Sequence, residues 1–160
     1  MTKQYDVYTD GSDFKRTSRR LGIGGVLVDG SIGLHGKQID EFSFELDRKN
    51  LLKFFGTDQC SNPFAEMVAV YVAIKQFSKY FKKGDTVVFH EDFIGCKEWI
   101  KGTWKTKEPY IKKITEEIRE LLQKIDCDIE FEWVKGHQSK SVLSKDAYWN
   151  DKADKLAKGL

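Results

Sequence analysis

Cysteine is scarce in this chain, and what there is does not pair. Cys60, Cys96 and Cys127 are three in 160 residues. Their number is odd and no C-x-x-C spacing occurs, which argues against a disulfide framework and against a cysteine-based zinc site. A reducing compartment suits such thiols. Long hydrophobic runs are missing as well. No stretch approaches the roughly 18 apolar residues that a membrane span requires, and the segment around Lys3, Tyr5 and Asp6 lacks the apolar core of a signal peptide. The expectation is a cytoplasmic protein that uses no membrane. A strong excess of one charge is also lacking. The formal net charge is +2 and the pI is near 8.3, a balance that permits a polyanionic partner without requiring one. Repeats, low-complexity tracts and linkers are absent, so residues 1–160 are expected to form one domain. The 40% of hydrophobic residues is enough for one sizeable core, and the 32% that are charged give a solvated surface.

The charge that is present is clustered. Lys15, Arg16, Arg19 and Arg20 crowd one early loop. Lys97, Lys101, Lys105 and Lys107 crowd a stretch that also holds Trp99 and Trp104. Either run reads as a solvated face or as a phosphate-contacting patch. The two tryptophans read as core or as the lining of a groove.

Hydrophobic periodicity predicts the elements. Residues 4–9 alternate as a first strand, closed by the turn chemistry of Asp10-Gly11-Ser12. Strands are also predicted over 22–28, 39–46, 86–90 and 129–133, with Asp29-Gly30 as a hairpin signal after the second. Leu51, Leu52, Phe54 and Phe55 predict a short helix within 47–61. Asn62-Pro63 reads as a helix start, with Asn62 as cap, and Phe64, Met67, Val68, Tyr71 and Ile74 recur at helical spacing. A short helix over 93–100 and a long amphipathic one over 111–125 follow. The segment 136–149 reads as loop, with Asn150 capping a last helix that reaches Lys158. Three strands followed by alternating helices and strands predict a mixed α/β sheet with helices on its faces. A right-handed crossover places the fourth strand beside the first and parallel to it.

That topology gathers carboxylates. Asp10 and Asp92 then end neighbouring strands, about 4.8 Å apart. Glu66 and Asp154 fall in the first turns of two predicted helices, where the dipole favours anions. Singly, each reads as a turn, strand-end or solvated carboxylate. Together at one edge they repel, and hard oxygen ligands of this kind suit Mg²⁺ or Mn²⁺. Two such ions about 3.5–4 Å apart can activate a water and stabilise the leaving oxygen of a phosphodiester. Glu91 competes with Asp92, but strand alternation points it to the opposite face.

The joint order resembles the type I ribonuclease H family, the ribonucleases HI. The match runs from Tyr8-Thr9-Asp10-Gly11-Ser12 through Asn62-x-x-Ala65-Glu66 and Asp92 to Trp133-Val134-Lys135-Gly136-His137 and Asn150-Asp151-Lys152-Ala153-Asp154-Lys155-Leu156-Ala157. The resemblance implies a ribonuclease H-like fold, a five-stranded mixed sheet in order 3-2-1-4-5 flanked by helices. It implies an endoribonuclease that hydrolyses the RNA strand of RNA–DNA hybrids with two Mg²⁺ ions (Mn²⁺ a possible substitute), leaving a 5′-phosphate and a 3′-hydroxyl. Asp10 would bridge the metals, Glu66 and Asp92 complete one site and Asp154 serve the other, with His137 aiding proton transfer or product release. Ser12, Ser61, Asn62, Trp99, Trp104 and Lys105 are the implied substrate contacts, Asn62 near the RNA 2′-hydroxyls and Ser61 at a DNA phosphate. The departures fall on substrate grip: Gln59 stands where some members carry an arginine, the early loop is basic, and the protrusion from Glu98 to Lys105 is short. Two rival readings remain, a catalytically inactive hybrid-binding module and a DNA nuclease of the same superfamily. The start at Met1 favours a free-standing protein over part of a reverse transcriptase, and a monomer is expected.

Overall fold

Alternating apolar residues build five strands, and these form one sheet in the order β3-β2-β1-β4-β5. The strands are β1 (Gln4–Ser12), β2 (Leu21–Asp29), β3 (Lys37–Leu46), β4 (Thr86–Glu91) and β5 (Asp128–Trp133). The first three form an antiparallel meander. The last two run parallel to β1, each reached by a helical crossover. The computed structural model describes residues 2–13, 20–33, 35–133 and 144–160. Mixed topology and strand order agree with the sequence expectation.

The helices are α1 (Arg48–Phe55), α2 (Asn62–Phe77), α3 (Ile94–Lys101), α4 (Pro109–Gln123) and α5 (Lys145–Ala157). One face of the sheet carries α2, with α4 packed behind it, and the other face carries α5. Strand alternation divides β1 between two cores. Tyr5 and Val7 join the large cluster that includes Phe64, Val68, Phe89 and Ile118. Tyr8 joins a smaller one with Val26, Val28, Trp149, Ala153 and Leu156 beneath α5. The short helix expected within 47–61 is α1. Asp47 caps it, and Leu51 and Phe55 anchor it.

Three local expectations are corrected. First, β1 does not stop before Asp10. Pairing with β2 carries it on through Asp10↔Gly24, Gly11↔Ile23 and Ser12↔Gly22, so the cross-strand ladder overrides the local turn signal. Second, Ser61 rather than Asn62 caps α2. Its side chain accepts from the Phe64 N–H at 3.3 Å, and Asn62 becomes the first helical residue. Third, α5 begins at Lys145, where Ser144 caps it by accepting from Ala147 N–H at 3.1 Å. The buried residues Trp149, Ala153, Leu156 and Ala157 keep one helical face from that earlier start.

Two glycines set how closely the helices approach. A Cβ on Gly11 would sit 2.3 Å from the Ala65 carbonyl carbon and 2.6 Å from the Glu66 nitrogen of α2. A Cβ on Gly24 would sit 2.5 Å from the Ala157 nitrogen and 2.6 Å from the Ala153 oxygen of α5. Both obstacles are backbone, so neither can swing aside. Gly11→Ala and Gly24→Ala are each expected to lower stability by about 1–3 kcal/mol through overpacking, measured as a shift of the urea midpoint at unchanged slope.

Candidate active site

Asp10 is in the last turn of pleat on β1 and is buried. Its Oδ1 accepts from the Gly11 N–H at 2.9 Å. Glu66 reaches the same place from the second turn of α2, because Gly11 lets that helix lie against the strand. Asp92 follows directly on β4, the parallel neighbour of β1. One oxygen from each of Asp10, Glu66 and Asp92 lies within 4.8 Å of the others. Glu66 Oε2 is buried with no hydrogen-bond partner among the described residues. An unpaired buried carboxylate oxygen aimed into two more carboxyl groups fits a hard divalent cation.

Asp154 approaches from the other face, on α5, close enough to engage the Asp10 carboxyl. The corrected start of α5 changes how this residue is held. Asp154 sits in the third turn, towards the C-terminal end, where the helix dipole opposes an anion rather than favouring it. Lys158, one turn on, offsets this with a 3.0 Å ion pair. Asp154 is therefore placed by packing of α5 and balanced by a side chain.

The electrostatics follow from burial. Desolvation pushes the Asp10 carboxyl up to about 8; a hydrogen bond with Glu66 opposes this, while Asp92 and Asp154 add to it. Glu66 is raised well above the usual carboxylate range, first by burial and then by Asp10 and Asp92. Glu91 is fully buried and is not one of the three carboxylates that converge there. Burial lifts it to about 9 against the pull of Lys97, so it is neutral at pH 7.

The remaining candidates divide by location. Ser12 ends β1, two residues beyond Asp10. Asn62 is exposed and lies four residues before Glu66, on the same side of α2. Trp99 is packed against the main core, and its ring meets that of Trp104 edge-on with centroids 6.4 Å apart. Trp104 is 44% exposed. Both rings, with Lys105, Lys112 and Arg119, line a cavity of about 400 Å³. Trp99 thus packs on the core and also forms part of the cavity wall. Arg119 ties this wall to α4 by donating to the Trp99 carbonyl at 2.6 Å and the Ile100 carbonyl at 2.9 Å. His137 lies outside the described residues, as do Lys15, Arg16 and Arg19.

Sequence reasoning missed three contributors. Gly11 and Gly24 were visible only as turn and strand residues, since a close helix approach leaves no local signal. Trp133 was visible as a motif residue without a task. Its indole N–H donates to the Asp92 carbonyl at 3.0 Å, which fixes the backbone that carries that carboxylate.

The model of the RNase H family matches residues 2–159. The chain belongs to the RNase H family. Its fold is that of RNase H1 from the halophilic archaeon Halobacterium salinarum, with a TM-score of 0.71 at 18% identity over 98% of this chain and 99% of that one. LC11-RNase H1, isolated from compost by a metagenomic approach, is similar at a TM-score of 0.72 and 20% identity, over 97% of this chain and 93% of that one. The same LC11 protein in complex with an RNA/DNA hybrid gives a TM-score of 0.65 at 20% identity, over 94% and 97% of the two chains. No curated protein sequence matches. Among the described residues, no helix is long and apolar enough to cross a membrane.

The raised carboxylate of Asp10 sets a pH dependence. The folded state keeps its proton to about pH 8, whereas an unfolded chain loses it near 3.8. The stabilising contribution of that bound proton is therefore complete below the unfolded value and is lost as pH rises towards 8. Metal-free Asp10→Asn protein is expected to exceed the parent in stability at pH 8 by on the order of 1–2 kcal/mol, and to match it at pH 4. Urea unfolding in a chelator at the two pH values measures this.

Proposed function

We propose that this chain is an endoribonuclease that hydrolyses the RNA strand of RNA–DNA hybrids, with residues 1–160 acting as one catalytic domain and as a monomer. The observation that carries the reading is the convergence of buried Asp10 and Glu66 with half-buried Asp92, with a Glu66 oxygen unpaired among the described residues. Membership of the RNase H family supports it. So does the likeness to LC11-RNase H1, which has been seen with an RNA/DNA hybrid.

Asp10, Glu66, Asp92 and Asp154 would hold two Mg²⁺ ions, with Mn²⁺ able to replace them. Bound there, the ions would supply activation of a water and stabilisation of the leaving oxygen. The reaction adds water across the P–O3′ bond. Phosphorus gains the water oxygen and O3′ departs with a proton, which gives a 5′-phosphate and a 3′-hydroxyl. His137 is assigned to that proton's movement or to product release, on the strength of the family resemblance.

The chain's own residues do the positioning. Asp10 and Glu66 are dry and fixed on a strand and a helix, so they need little rearrangement as charge develops. Trp133 holds the backbone of Asp92 in place. Asn62, exposed one turn before Glu66, can hydrogen-bond a 2′-hydroxyl, the group that separates RNA from DNA. Ser61 is assigned to a DNA phosphate and Ser12 to the substrate, on the strength of the family resemblance. Trp99 and Trp104 offer stacking faces, and Lys105 with Arg119 a phosphate contact, for the DNA strand.

Labelled RNA–DNA hybrid is expected to be cut in Mg²⁺ or Mn²⁺, with RNA duplex and DNA duplex left intact. Asp10→Asn should reduce the rate by about two orders of magnitude or more. Hybrid binding with no cutting by the parent protein would make the chain a binding module, and equal cutting of DNA duplex would make it a DNA nuclease. In the same assay Trp104→Ala and Lys105→Ala should raise KM several-fold and leave kcat nearly unchanged, the pattern of lost uniform binding.

A further inference from the structure

We propose that His90, Glu132 and Asp146 form a second metal site, suited to a borderline transition-metal ion such as Zn²⁺ and independent of the nuclease reading. One ligand atom from each lies within 4.8 Å of the other two. His90 is on β4, Glu132 is its register partner on β5, and Asp146 is in the first turn of α5. The three therefore meet where α5 closes over the sheet.

The histidine is the decisive member. Its side chain is 4% exposed, and its Nε2 lies 2.8 Å from Asp6 Oδ1. The other Asp6 oxygen accepts from Lys145 Nζ at 2.6 Å. A carboxylate paired with an ammonium is an acceptor, so the ring proton sits on Nε2 and the lone pair on Nδ1. That Nδ1 is buried with no hydrogen-bond partner among the described residues. It faces Glu132 Oε2 at 3.7 Å and Asp146 Oδ1 at 3.8 Å. Both separations exceed hydrogen-bond reach, so a proton on Nδ1 would be well shared with neither oxygen. Three electron-pair donors converging on one gap call for a cation between them.

The dimensions and surroundings suit a transition metal. Bonds of about 2.0–2.1 Å to nitrogen and oxygen give tetrahedral ligand separations of about 3.3 Å, an inward shift of roughly half an ångström. Asp6 on the distal ring nitrogen supplies the carboxylate that metal-bound histidines commonly carry. Tyr8 donates to Asp146 Oδ1 at 2.6 Å and stacks on the His90 ring with centroids 4.4 Å apart, which orients two ligands at once. The Glu132 and Asp146 side chains are 57% and 43% exposed, which leaves an entry path and room for a water as fourth ligand. An imidazole nitrogen with two carboxylates favours Zn²⁺ or Co²⁺, whereas Mg²⁺ prefers oxygen alone. The bound ion would tie α5 to β4 and β5.

The test uses the full chain carrying Asp10→Asn, in excess Mg²⁺, so that the other carboxylate cluster is disabled and saturated. Titration with Zn²⁺ by calorimetry is expected to show one ion per chain. Co²⁺ should give a visible absorption band, and Zn²⁺ should raise Tm because it binds the folded state. Glu132→Gln and Asp146→Asn, both at half-exposed positions, should each weaken Zn²⁺ binding by about tenfold or more, with the fold checked by circular dichroism. Absence of one-to-one Zn²⁺ binding would overturn the proposal. Binding equal in parent and both variants would overturn it too, by assigning the ion to a thiol or to the remaining carboxylates.

Discussion

The close approach of α2 and α5 to the end of β1 is the constraint on which this molecule depends. Gly11 presses against the backbone of Ala65 and Glu66, and Gly24, the register partner of Asp10, presses against the backbone of Ala153 and Ala157. A strand residue normally spaces a helix away by its side chain. Two such residues lack one, on opposite faces and within one cross-strand pair of Asp10. Glu66 and Asp154 thereby come to a carboxylate that neither would reach across a normally spaced layer. The large core behind α2 and the smaller one beneath α5 hold the helices there.

The result is a site that is unfavourable by itself. Asp10 and Glu66 are both buried, both raised by desolvation and by each other's neighbours, and Glu66 keeps an oxygen unpaired. Evenly spread packing energy elsewhere offsets that local cost, which is why the strain can persist. A cation at the cluster would remove the repulsion and return the desolvation cost as binding energy. Proton uptake and metal binding are then two competing answers to one problem, so metal affinity should climb as pH rises through the raised carboxylate range.

Much of this was legible in the sequence, and the reasons are specific. The strand order follows from period-two runs and from crossover handedness, which depend on local pattern. Asp10, Glu66 and Asp92 were legible because each lies within or directly after an element with a clear periodicity. The motif put Asp154 at the edge where it meets Asp10, but the helix dipole does not favour it there as expected, since α5 starts at Lys145. Asn150 was read as a cap because Ser144 lies beyond a polar stretch that looks like loop, and the helical face made by Trp149, Ala153 and Leu156 shows only once the sheet is there to bury it. Ser61 displaced Asn62 as cap for a similar reason: both residues can cap, and tertiary packing of Phe64 chose the register. The His90 cluster left no trace, because its members come from two strands and from a segment that reads as loop.

α5 connects these observations. Its first turn is fixed by two polar contacts to the sheet, from Lys145 to Asp6 and from Tyr8 to Asp146, and by its own cap, in which the Ala147 N–H donates to Ser144. Its middle is fixed by Trp149 and Ala153. Asp154 follows in the third turn, so its position is set by the rigid rod behind it and not by contacts of its own with the helix start. Its far end is held as well, by Ala153 and Ala157 against Gly24 and by Ser43, which donates to the Leu156 carbonyl at 2.6 Å. At 1.5 Å rise per residue, Asp146 and Asp154 are about 12 Å apart along that rod. The contacts of the first turn and the packing of Ala153 and Ala157 on either side of Asp154 together fix that residue beside Asp10. The polar cluster around His90 and the carboxylate cluster thus lie at the two ends of one packed helix and share no ligand.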